Sequence, residues 1–562
     1  MSEKEKYECK ICHNPSLVKF ISFGKMPVAN AFLSKEELEK EEFTYQMEVG
    51  FCEQCKMVQL INLVPYEKYI VPDSLGKRNY AFFSSTSKSM EEHFAELAKD
   101  VETKFLEKDS KVLELGSNDG ILLQAFKNHK VLGIEPSHNV AEVAVSKGIE
   151  TITEFFSKNL AEKILQEKGK FRTIISTNVL LNIMDIHQCI ESINILLDDK
   201  GVFITEDPYV LNILEQTAYD QIYDEHIWYF SLVSINNLLN MHGMEVFDAE
   251  KQWVHGGSMR VYVCKTGKYE KTERLREYMQ NEINRRIDNI EPYLKFSRNA
   301  EESKDMLSRL LRKLKSEGKK IVGYGASSKG TIVCNYCNIG TEIIDYISDS
   351  TPYKQGLYNP GRHIPVVSPE IFHDDNADYA FLFIPNHINE VMGKEQEFIN
   401  RGGKFIVHWP NVKVLPESVE LKNLKIFAND QGYLFETLRE DDKIFNGKFG
   451  QVLVSVLYPG VIKGLHKHEK QTDYTSCIKG NIKYVSIKEK KDGTREVKTL
   501  AIGERNPVLI KTPPGIWHGY TPLSNQEAII LHVMDKTYDA NDDDTERRDP
   551  YFFGDVWSVK NN

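Results

Sequence analysis

The chain has 562 residues, 41% apolar and 27% charged, with 71 basic against 82 acidic side chains and a net charge of −11. At roughly 100–200 residues per domain this implies about three to five domains of ordinary globular composition, neither a single core nor a disordered chain. The acidic balance excludes a general nucleic-acid binder, which would carry a basic surplus, but leaves room for a local basic pocket around a phosphorylated ligand.

The charged start, Met1-Ser2-Glu3-Lys4-Glu5-Lys6, has no apolar stretch behind it and is not read as a signal peptide. No run of 18 apolar residues predicts a membrane helix, so a cytoplasmic protein is expected. The nine cysteines are then expected to be reduced, and clustered ones are better read as metal ligands than as disulfides. Residues 1–75 form a short, loop-rich module with two such clusters. Cys9-x-x-Cys12 and Cys52-x-x-Cys55 are thiolate pairs separated by 39 residues. Four thiolates satisfy tetrahedral Zn²⁺ and leave no open position, so a structural zinc is expected. A nucleic-acid zinc ribbon is the rival that the acidic balance disfavours.

Residues 76–300 alternate strand-like runs with amphipathic helices, the pattern of an α/β domain with a mainly parallel sheet. Lys111–Leu115, Lys130–Ile134 and Thr173–Ser176 are predicted strands. The first runs into Gly116-Ser117-Asn118-Asp119-Gly120, where glycines permit close approach of a ligand to the backbone. The second ends in Glu135, 19 residues after Gly116, where a carboxylate can hold both hydroxyls of a ribose. The alternative is a generic strand–turn–helix. Residues 272–318 are predicted to be a charged helical bridge with one apolar stripe of Leu275, Met279, Ile283, Ile287 and Ile290. Strands at Ile321–Tyr324, Ile343–Tyr346, Tyr379–Ile384 and Lys404–Val407 predict a second, smaller Rossmann-like unit within 301–418. Cys334-x-x-Cys337 has no second pair nearby and reads as part of a buried helix; Cys189, Cys264 and Cys477 read as core. Residues 419–562 turn all-β, with strands at Val452–Leu457, Asn481–Lys488, Thr494–Leu500 and Glu527–Met534. Lys491-Asp492-Gly493 is a hairpin signal, and the texture predicts a sandwich or barrel.

The form Glu114-x-Gly116-x-x-x-Gly120 resembles S-adenosylmethionine methyltransferases. A zinc module, this domain and a second Rossmann-like module together resemble the nucleotide-sugar C3-methyltransferases acting on 4-keto-deoxysugars, over about residues 7–415. The motifs are Tyr80–Ser87, Tyr223-Asp224-Glu225-His226, His255-Gly256-Gly257-Ser258-Met259-Arg260, Gly323-Tyr324-Gly325-Ala326-Ser327-Ser328-Lys329 and Asp349–Gly356. The resemblance implies an S-adenosylmethionine site at Glu114, Gly116, Asn118, Asp119, Gly120, Glu135 and Asn178. It implies His226 as the base that takes the acidified C3 proton, a task that suits a group titrating near neutrality. Tyr223 would position the sugar, Glu225 would orient or polarise the site and Tyr80 would close over it. His255 would bind substrate, and Gly323, Ser328, Lys329 and Lys354 would hold the nucleotide phosphates at a helix N-terminus. Without the family match, Tyr223–His226 would read as a polar surface turn and the lysines as solvated. One departure is Asn182, where the family usually carries a histidine; asparagine cannot accept a catalytic proton.

The last region, about residues 420–557, resembles the cupin-type dTDP-4-keto-rhamnose 3,5-epimerases, through Asn429–Glu436, Gly460–His468 and Pro513–Gly519. The resemblance implies a jelly-roll cupin with His466 as base, Tyr538 as the opposing acid, and His518, Glu436 and Lys463 lining the site. It also implies a homodimer through the cupin. Gln431 and Lys463 stand where arginines are expected, Asp473 stands where a lysine is expected, and the aspartate that pairs with the base appears absent. A rival uses the same residues, since His466, His468, Asp473 and His518 have the spacing of a metal-binding cupin. The order of preference is epimerase, metal cupin, then a substrate-binding or dimerising barrel. The expected protein is thus multidomain and bifunctional. It would methylate C3 of a nucleotide-linked 4-keto-6-deoxysugar and epimerise that substrate or product, at C5 if methylation comes first.

Overall fold

A computed structural model describes residues 6–68, 83–86, 88–416, 420–429, 432–442, 444–445, 447–489, 494–504, 506–539 and 544–558. The chain divides into two compact units, residues 1–415 and 416–562. Among the described residues no helix is long and apolar enough to cross a membrane.

Unit 1 contains three sheets. The N-terminal one is antiparallel, in the order Lys6–Tyr7, Leu17–Pro27, Thr44–Cys52, Val58–Leu60 and Trp228–Tyr229. Its last strand comes from far along the chain, so the cysteine module and the α/β domain share a ladder. The seven-stranded sheet runs Met244–Gln252, Ser258–Lys265, Leu197–Pro208, Phe171–Thr177, Lys111–Leu115, Lys130–Ile134 and Thr151–Ile152. The last five of these pair in parallel, and the first two form an antiparallel edge. Val112, Leu113, Glu114 and Leu115 are all buried, as a strand covered on both faces requires. Lys111–Leu115 lies where the order reverses, so its C-terminal turn opens a crevice. The third sheet is parallel through Val366–Val367, Ile347–Ser348, Ile321–Tyr324, Tyr379–Leu382 and Lys404–Val407, with Lys413–Leu415 antiparallel at the edge.

Three expectations for these elements change. The bridge 272–318 is two helices, Glu273–Asn284 and Glu291–Ser316. Arg286 takes a left-handed φ of 56° between them, so the apolar stripe is cut. Leu275, Ile287 and Ile290 are buried, but Ile283 is 53% exposed. The second helix buries Tyr293, Phe296, Ala300, Leu307 and Leu311, and Tyr293 packs on Phe20 of the first sheet. Ile343 and Ile344 are buried in a turn held by the Gly340 carbonyl, and the strand begins only at Ile347, opposite Gly323. Burial alone does not make a strand when no ladder partner lies alongside.

Unit 2 is two antiparallel five-stranded sheets. One runs Glu420–Asn423, Val508–Thr512, Asp473–Lys479, Ala528–Met534 and Gln451–Leu457. The other runs Arg495–Gly503, Asn481–Glu489, Trp517–Pro522, Lys463–His468 and Thr545–Arg547. This is the double-sheet arrangement expected of a jelly roll. The hairpin residues Lys491-Asp492-Gly493 lie outside the described residues, but Glu489 pairs with Arg495 as that turn predicts. On the edge strand Gln451–Leu457, Ser455 and Leu457 point inward while Val452, Val454 and Val456 are 50–58% exposed.

Candidate functional site

The cysteine pairs converge. Cys9 Sγ lies 3.6 Å from Cys55 Sγ and Cys12 Sγ 3.6 Å from Cys52 Sγ. All four sulfurs lie within 4.8 Å of one another. A tetrahedron with Zn–S near 2.3 Å has edges of about 3.8 Å, so the cage fits zinc. Gln59 Nε2 donates to Cys9 Sγ at 3.0 Å and Ser16 Oγ lies 3.2 Å from Cys52 Sγ, the outer hydrogen bonds that orient thiolate ligands. The module that carries this cage also contacts the second site. Ala29 N donates to Asp224 Oδ1 at 2.8 Å, and Leu60 N to the Ile227 carbonyl at 2.9 Å. Tyr223–His226 is therefore clamped between two strands' ends of the cysteine module.

At the glycine turn, Gly116 and Gly120 have φ of 67° and 77°. A Cβ on Gly116 would lie 2.3 Å from Val179, and one on Gly120 would press on Ala144 and Ile149. These glycines are thus demanded by the fold's own packing as well as by any ligand. Glu135 takes Ser137 N on one oxygen (2.8 Å) and Asn118 N on the other (3.1 Å), which fixes its orientation. Asn118 Oδ1 and Asp119 receive the amides of Ser84 and Ser85. Asn178 has a left-handed φ of 55° and donates its amide to the Glu206 carbonyl. Burial, then the charges of Glu135 and Asp119, push the Glu114 carboxyl well above its usual range. Glu114 Oε2 and Asp119 Oδ1 are buried with no hydrogen-bond partner among the described residues. The open oxygens of Glu114 and Asp119, beside the oriented Glu135, suit a hydroxyl- and amine-bearing cofactor such as S-adenosylmethionine. Tyr80 lies outside the described residues.

The next constellation surrounds His226. Its Nδ1–H donates to the Gln221 carbonyl (3.1 Å), so its Nε2 is the acceptor of the Tyr223 hydroxyl at 2.6 Å. Burial lowers its pKa to about 3, and the charges of Lys329 and His255 add to this. The imidazole is neutral at pH 7, with its lone pair on the nitrogen that faces Tyr223. Burial also pushes Glu225 upward, helped by the charge of Asp224 and opposed by Lys354. His255 sits in a left-handed turn before Gly256 and Gly257, and burial lowers its pKa to about 4. Asn182 donates weakly to the Asn178 carbonyl (3.3 Å), and its Oδ1 has no partner among the described residues.

In the second Rossmann-like module, Gly323 and Gly330 pack on Phe383 and Gly325 on Ile384. Ser327 Oγ caps the helix Ser328–Tyr336 by accepting from Gly330 N, and Asp349 Oδ2 accepts from Ala326 N at 2.6 Å. Internal groups thus satisfy two of the amides expected for phosphate. Lys354 Nζ donates to the Ala326 carbonyl (2.8 Å) and lies 4.9 Å from the Phe32 ring centroid. Lys329 Nζ donates to Asn386 Oδ1 at 3.2 Å.

In unit 2, His466 and His468 project from one face of their strand, as residues two apart must. His466 pairs in register with His518 on the next strand. Asp473 Oδ2 lies 3.3 Å from His518 Nε2 and 3.5 Å from His468 Nε2. One ligand atom from each of His466, His468, Asp473 and His518 falls within 4.8 Å of the others. Their outer atoms are held too, His518 Nδ1 by the Ile516 carbonyl (3.0 Å) and Asp473 Oδ1 by Gln471 Nε2 (2.8 Å). This donor set fits a divalent transition metal. Lys463 Nζ donates to Ser455 Oγ (2.8 Å). Tyr538 is 60% exposed, and Glu436 pairs with Arg439 at the surface. Gln431 lies outside the described residues.

Sequence reasoning missed several polar neighbours. His532 is buried in unit 2 against Tyr520 Oη (3.0 Å) and Thr475 Oγ1 (3.2 Å). Its inward parity on a strand was the available signal. Buried Asp220 accepts from Trp409 Nε1 (2.9 Å) and lies 3.3 Å from His408 Nε2, a long-range grouping with no local signature.

Four family models match in chain order. They are a zinc binding domain (residues 9–69), a methyltransferase domain (88–249), a C-methyltransferase C-terminal domain (253–410) and a polysaccharide biosynthesis C-terminal domain (428–546). The C-methyltransferase NovU of Streptomyces niveus is 32% identical over 412 residues, 73% of this chain and 96% of that one. The "Probable low-salt glycan biosynthesis epimerase Agl13" of Haloferax volcanii is 30% identical over 141 residues, 25% of this chain and 88% of that one. The spore coat polysaccharide biosynthesis protein SpsL of Bacillus subtilis is 33% identical over 133 residues, 23% of this chain and 87% of that one.

Proposed function

This chain belongs to the C-methyltransferase family, joined to a polysaccharide-biosynthesis domain with an epimerase relative, and we propose that it is a bifunctional deoxysugar enzyme. Unit 1 methylates C3 of a nucleotide-linked 4-keto-6-deoxysugar, and unit 2 epimerises a sugar of the same class. The observation that carries the first half is the neutral His226, its Nε2 lone pair facing Tyr223 and its Nδ1–H pinned to Gln221. A 4-keto group acidifies the hydrogen on C3. His226 Nε2 takes that proton, and the electron pair moves into C3=C4 and onto O4. S-adenosylmethionine, held by Glu114, Gly116, Asn118, Asp119, Gly120, Glu135 and Asn178, supplies an electrophilic methyl group when bound. Tyr223 gives up its bond to His226 and turns its hydroxyl to the sugar. Glu225, whose raised pKa favours the protonated acid, donates to it, and Tyr80 closes over it. His255, Gly323, Ser328, Lys329 and Lys354 line the substrate's path. Zinc on Cys9, Cys12, Cys52 and Cys55 is structural, since four thiolates leave no open position.

In unit 2 His466 is the epimerase base, with Tyr538 as opposing acid and His518, Lys463 and Glu436 around the sugar. Methylation replaces the hydrogen on C3, so a methylated product can be epimerised only at C5. One observation favours a second reading of this unit. His468, Asp473 and His518 converge with His466 on one point, as ligands of a divalent metal do. Such a metal would polarise the keto oxygen as a Lewis acid. The domain bounds 1–75, 76–300, 301–418 and 419–562, a cytoplasmic location and a homodimer through unit 2 belong to the same proposal. The exposed Val452, Val454 and Val456 face supports the dimer.

The test is product analysis by mass spectrometry and NMR, with a panel of 4-keto-sugar nucleotides, S-adenosylmethionine and D₂O. A methylated sugar carrying deuterium at C5 is expected. Methylation without deuterium at C5, at full turnover, would remove the C5 role. His466→Ala should abolish epimer formation and leave methylation intact.

A further inference from the structure

Lys329 stands at the start of the helix Ser328–Tyr336, where two of the amides at that end are already occupied. Ser327 Oγ accepts from Gly330 N, and Asp349 Oδ2 from Ala326 N. Its ammonium does not turn back to that helix but reaches Asn386 Oδ1 at 3.2 Å. Asn386 lies against the His255 turn, because a Cβ on Gly256 would sit 3.8 Å from Asn386 Cβ, 3.1 Å from Gln221 Nε2 and 3.4 Å from the Trp409 ring. Gln221 is the residue whose carbonyl holds His226 Nδ1, and Trp409 Nε1 donates to buried Asp220. Asn386, the His255–Gly256 turn, Gln221 and Trp409 therefore form one continuous wall running from Lys329 to His226.

We propose that Lys329 is a catalytic residue of the methyl transfer, its ammonium donating to the 4-keto oxygen of the sugar and stabilising the enolate that forms when His226 removes the C3 proton. This rests on the methyl-transfer reading above and differs from phosphate holding, the role that the helix N-terminus suggests. The charges account for the arrangement. Burial first, and the charge of Lys329 after it, oppose protonation of both His226 and His255, which places the lysine within electrostatic reach of the base. Burial lowers the Lys329 pKa, and the charge of Asp220 opposes this and favours the ammonium. Once His226 carries the C3 proton, two cations face each other across the site. An anion between them relieves that repulsion further than Asp220 alone does, and the enolate O4 is that anion. The electron pair leaves the C3–H bond, resides on C3=C4–O⁻ and returns to form the C3–CH₃ bond as the methyl–sulfur bond breaks. Lys329 donates a hydrogen bond throughout and loses no proton. A preorganised donor at a developing oxyanion contributes more than one at a ground-state ligand.

The test uses the full chain and Lys329→Met. Calorimetric binding of S-adenosylhomocysteine and a zinc assay establish that the variant is folded. The expected result is a loss in kcat of about 10²–10³-fold, with the KM for the sugar nucleotide little changed. Exchange of the C3 hydrogen with D₂O, in the presence of S-adenosylhomocysteine and no methyl donor, should fall in parallel. The acid limb of kcat/KM should move upward as His226 loses its cationic neighbour. A raised KM with kcat retained would make Lys329 a phosphate holder, and unchanged kinetics would remove it from the site; either result overturns the proposal. If Lys329→Met fails to bind S-adenosylhomocysteine, Lys329→Gln, which removes the charge and keeps a polar side chain, gives the same decision. A kcat loss at constant KM supports the role, and a KM effect alone overturns it. Wild-type chain that methylates no 4-keto-sugar nucleotide would defeat the methyl-transfer reading instead, an outcome the variants cannot mimic.

Discussion

Both units gather histidines where a keto-sugar could be enolised, but the neighbours differ. In unit 1 His226 keeps one nitrogen on a carbonyl and the other on a tyrosine hydroxyl. No carboxylate approaches it within ion-pair distance among the described residues. In unit 2 His466 shares its space with two more imidazoles and a carboxylate. The first arrangement leaves a lone pair available to one proton. The second brings four lone pairs to one point, which is tolerable only if hydrogen bonds or a cation intervene. Side-chain type alone does not separate base from ligand; the second nitrogen's partner and the count of converging donors do.

The largest effect that would sharpen this contrast is His226→Ala. Methyl transfer should fall about 10²–10⁴-fold by mass spectrometry of the product, while epimer formation in unit 2 is unchanged. A methylation rate within a few-fold of wild type would end the contrast. Removing the brace comes next. Cys52→Ser should release zinc and lower the stability of unit 1 by more than about 4 kcal/mol, because Ala29 and Leu60 lose their hold on Tyr223–His226. Calorimetry should show the unit 1 transition moving and the unit 2 transition staying.

Asp473→Ala probes the other side. If unit 2 holds a metal, its affinity for Mn²⁺ or Zn²⁺ should drop about 10–100-fold or more, read by chelator competition; no bound metal in the wild type would favour the epimerase base. The smallest effect is in pH dependence. Burial holds the folded-state pKa of His226 near 3, below the unfolded value of about 6.5. The unfolded chain then binds the extra proton between those values, so this histidine's share of stability is present above pH 6.5 and lost as pH falls toward 3. The base remains neutral through that window, so kcat/KM for methylation should show no acid limb near 6.5. A limb at that value would mean that His226 of the free enzyme titrates as an ordinary imidazole.

Much of this was readable along the chain. The two Cys-x-x-Cys pairs, the Glu114–Gly120 turn and Glu135 are local patterns whose spacing is set by turns and single strands. So is the His466–His468 pair, since period two places both on one face. Motif likeness also located Tyr223–His226 but not what holds it, because Ala29 and Trp228 meet it through contacts more than a hundred residues apart or through a shared ladder. The broken bridge at Arg286 was hidden because an apolar stripe does not report a left-handed residue that cuts it.

What the sequence by itself determined is the alternation of textures along the chain, the cysteine pairs, the acidic glycine turn and the shared face of His466 and His468, because these depend on periodicities of two and 3.6 residues and on turn chemistry; the candidate bases came from motif likeness. The tertiary structure decided which nitrogen of His226 carries the lone pair, that Lys329 faces Asn386 rather than its own helix, and that four donors of unit 2 converge. Those outcomes depend on packing between distant segments, where direction and neighbouring charge are set by the whole unit and not by any residue's own stretch of chain.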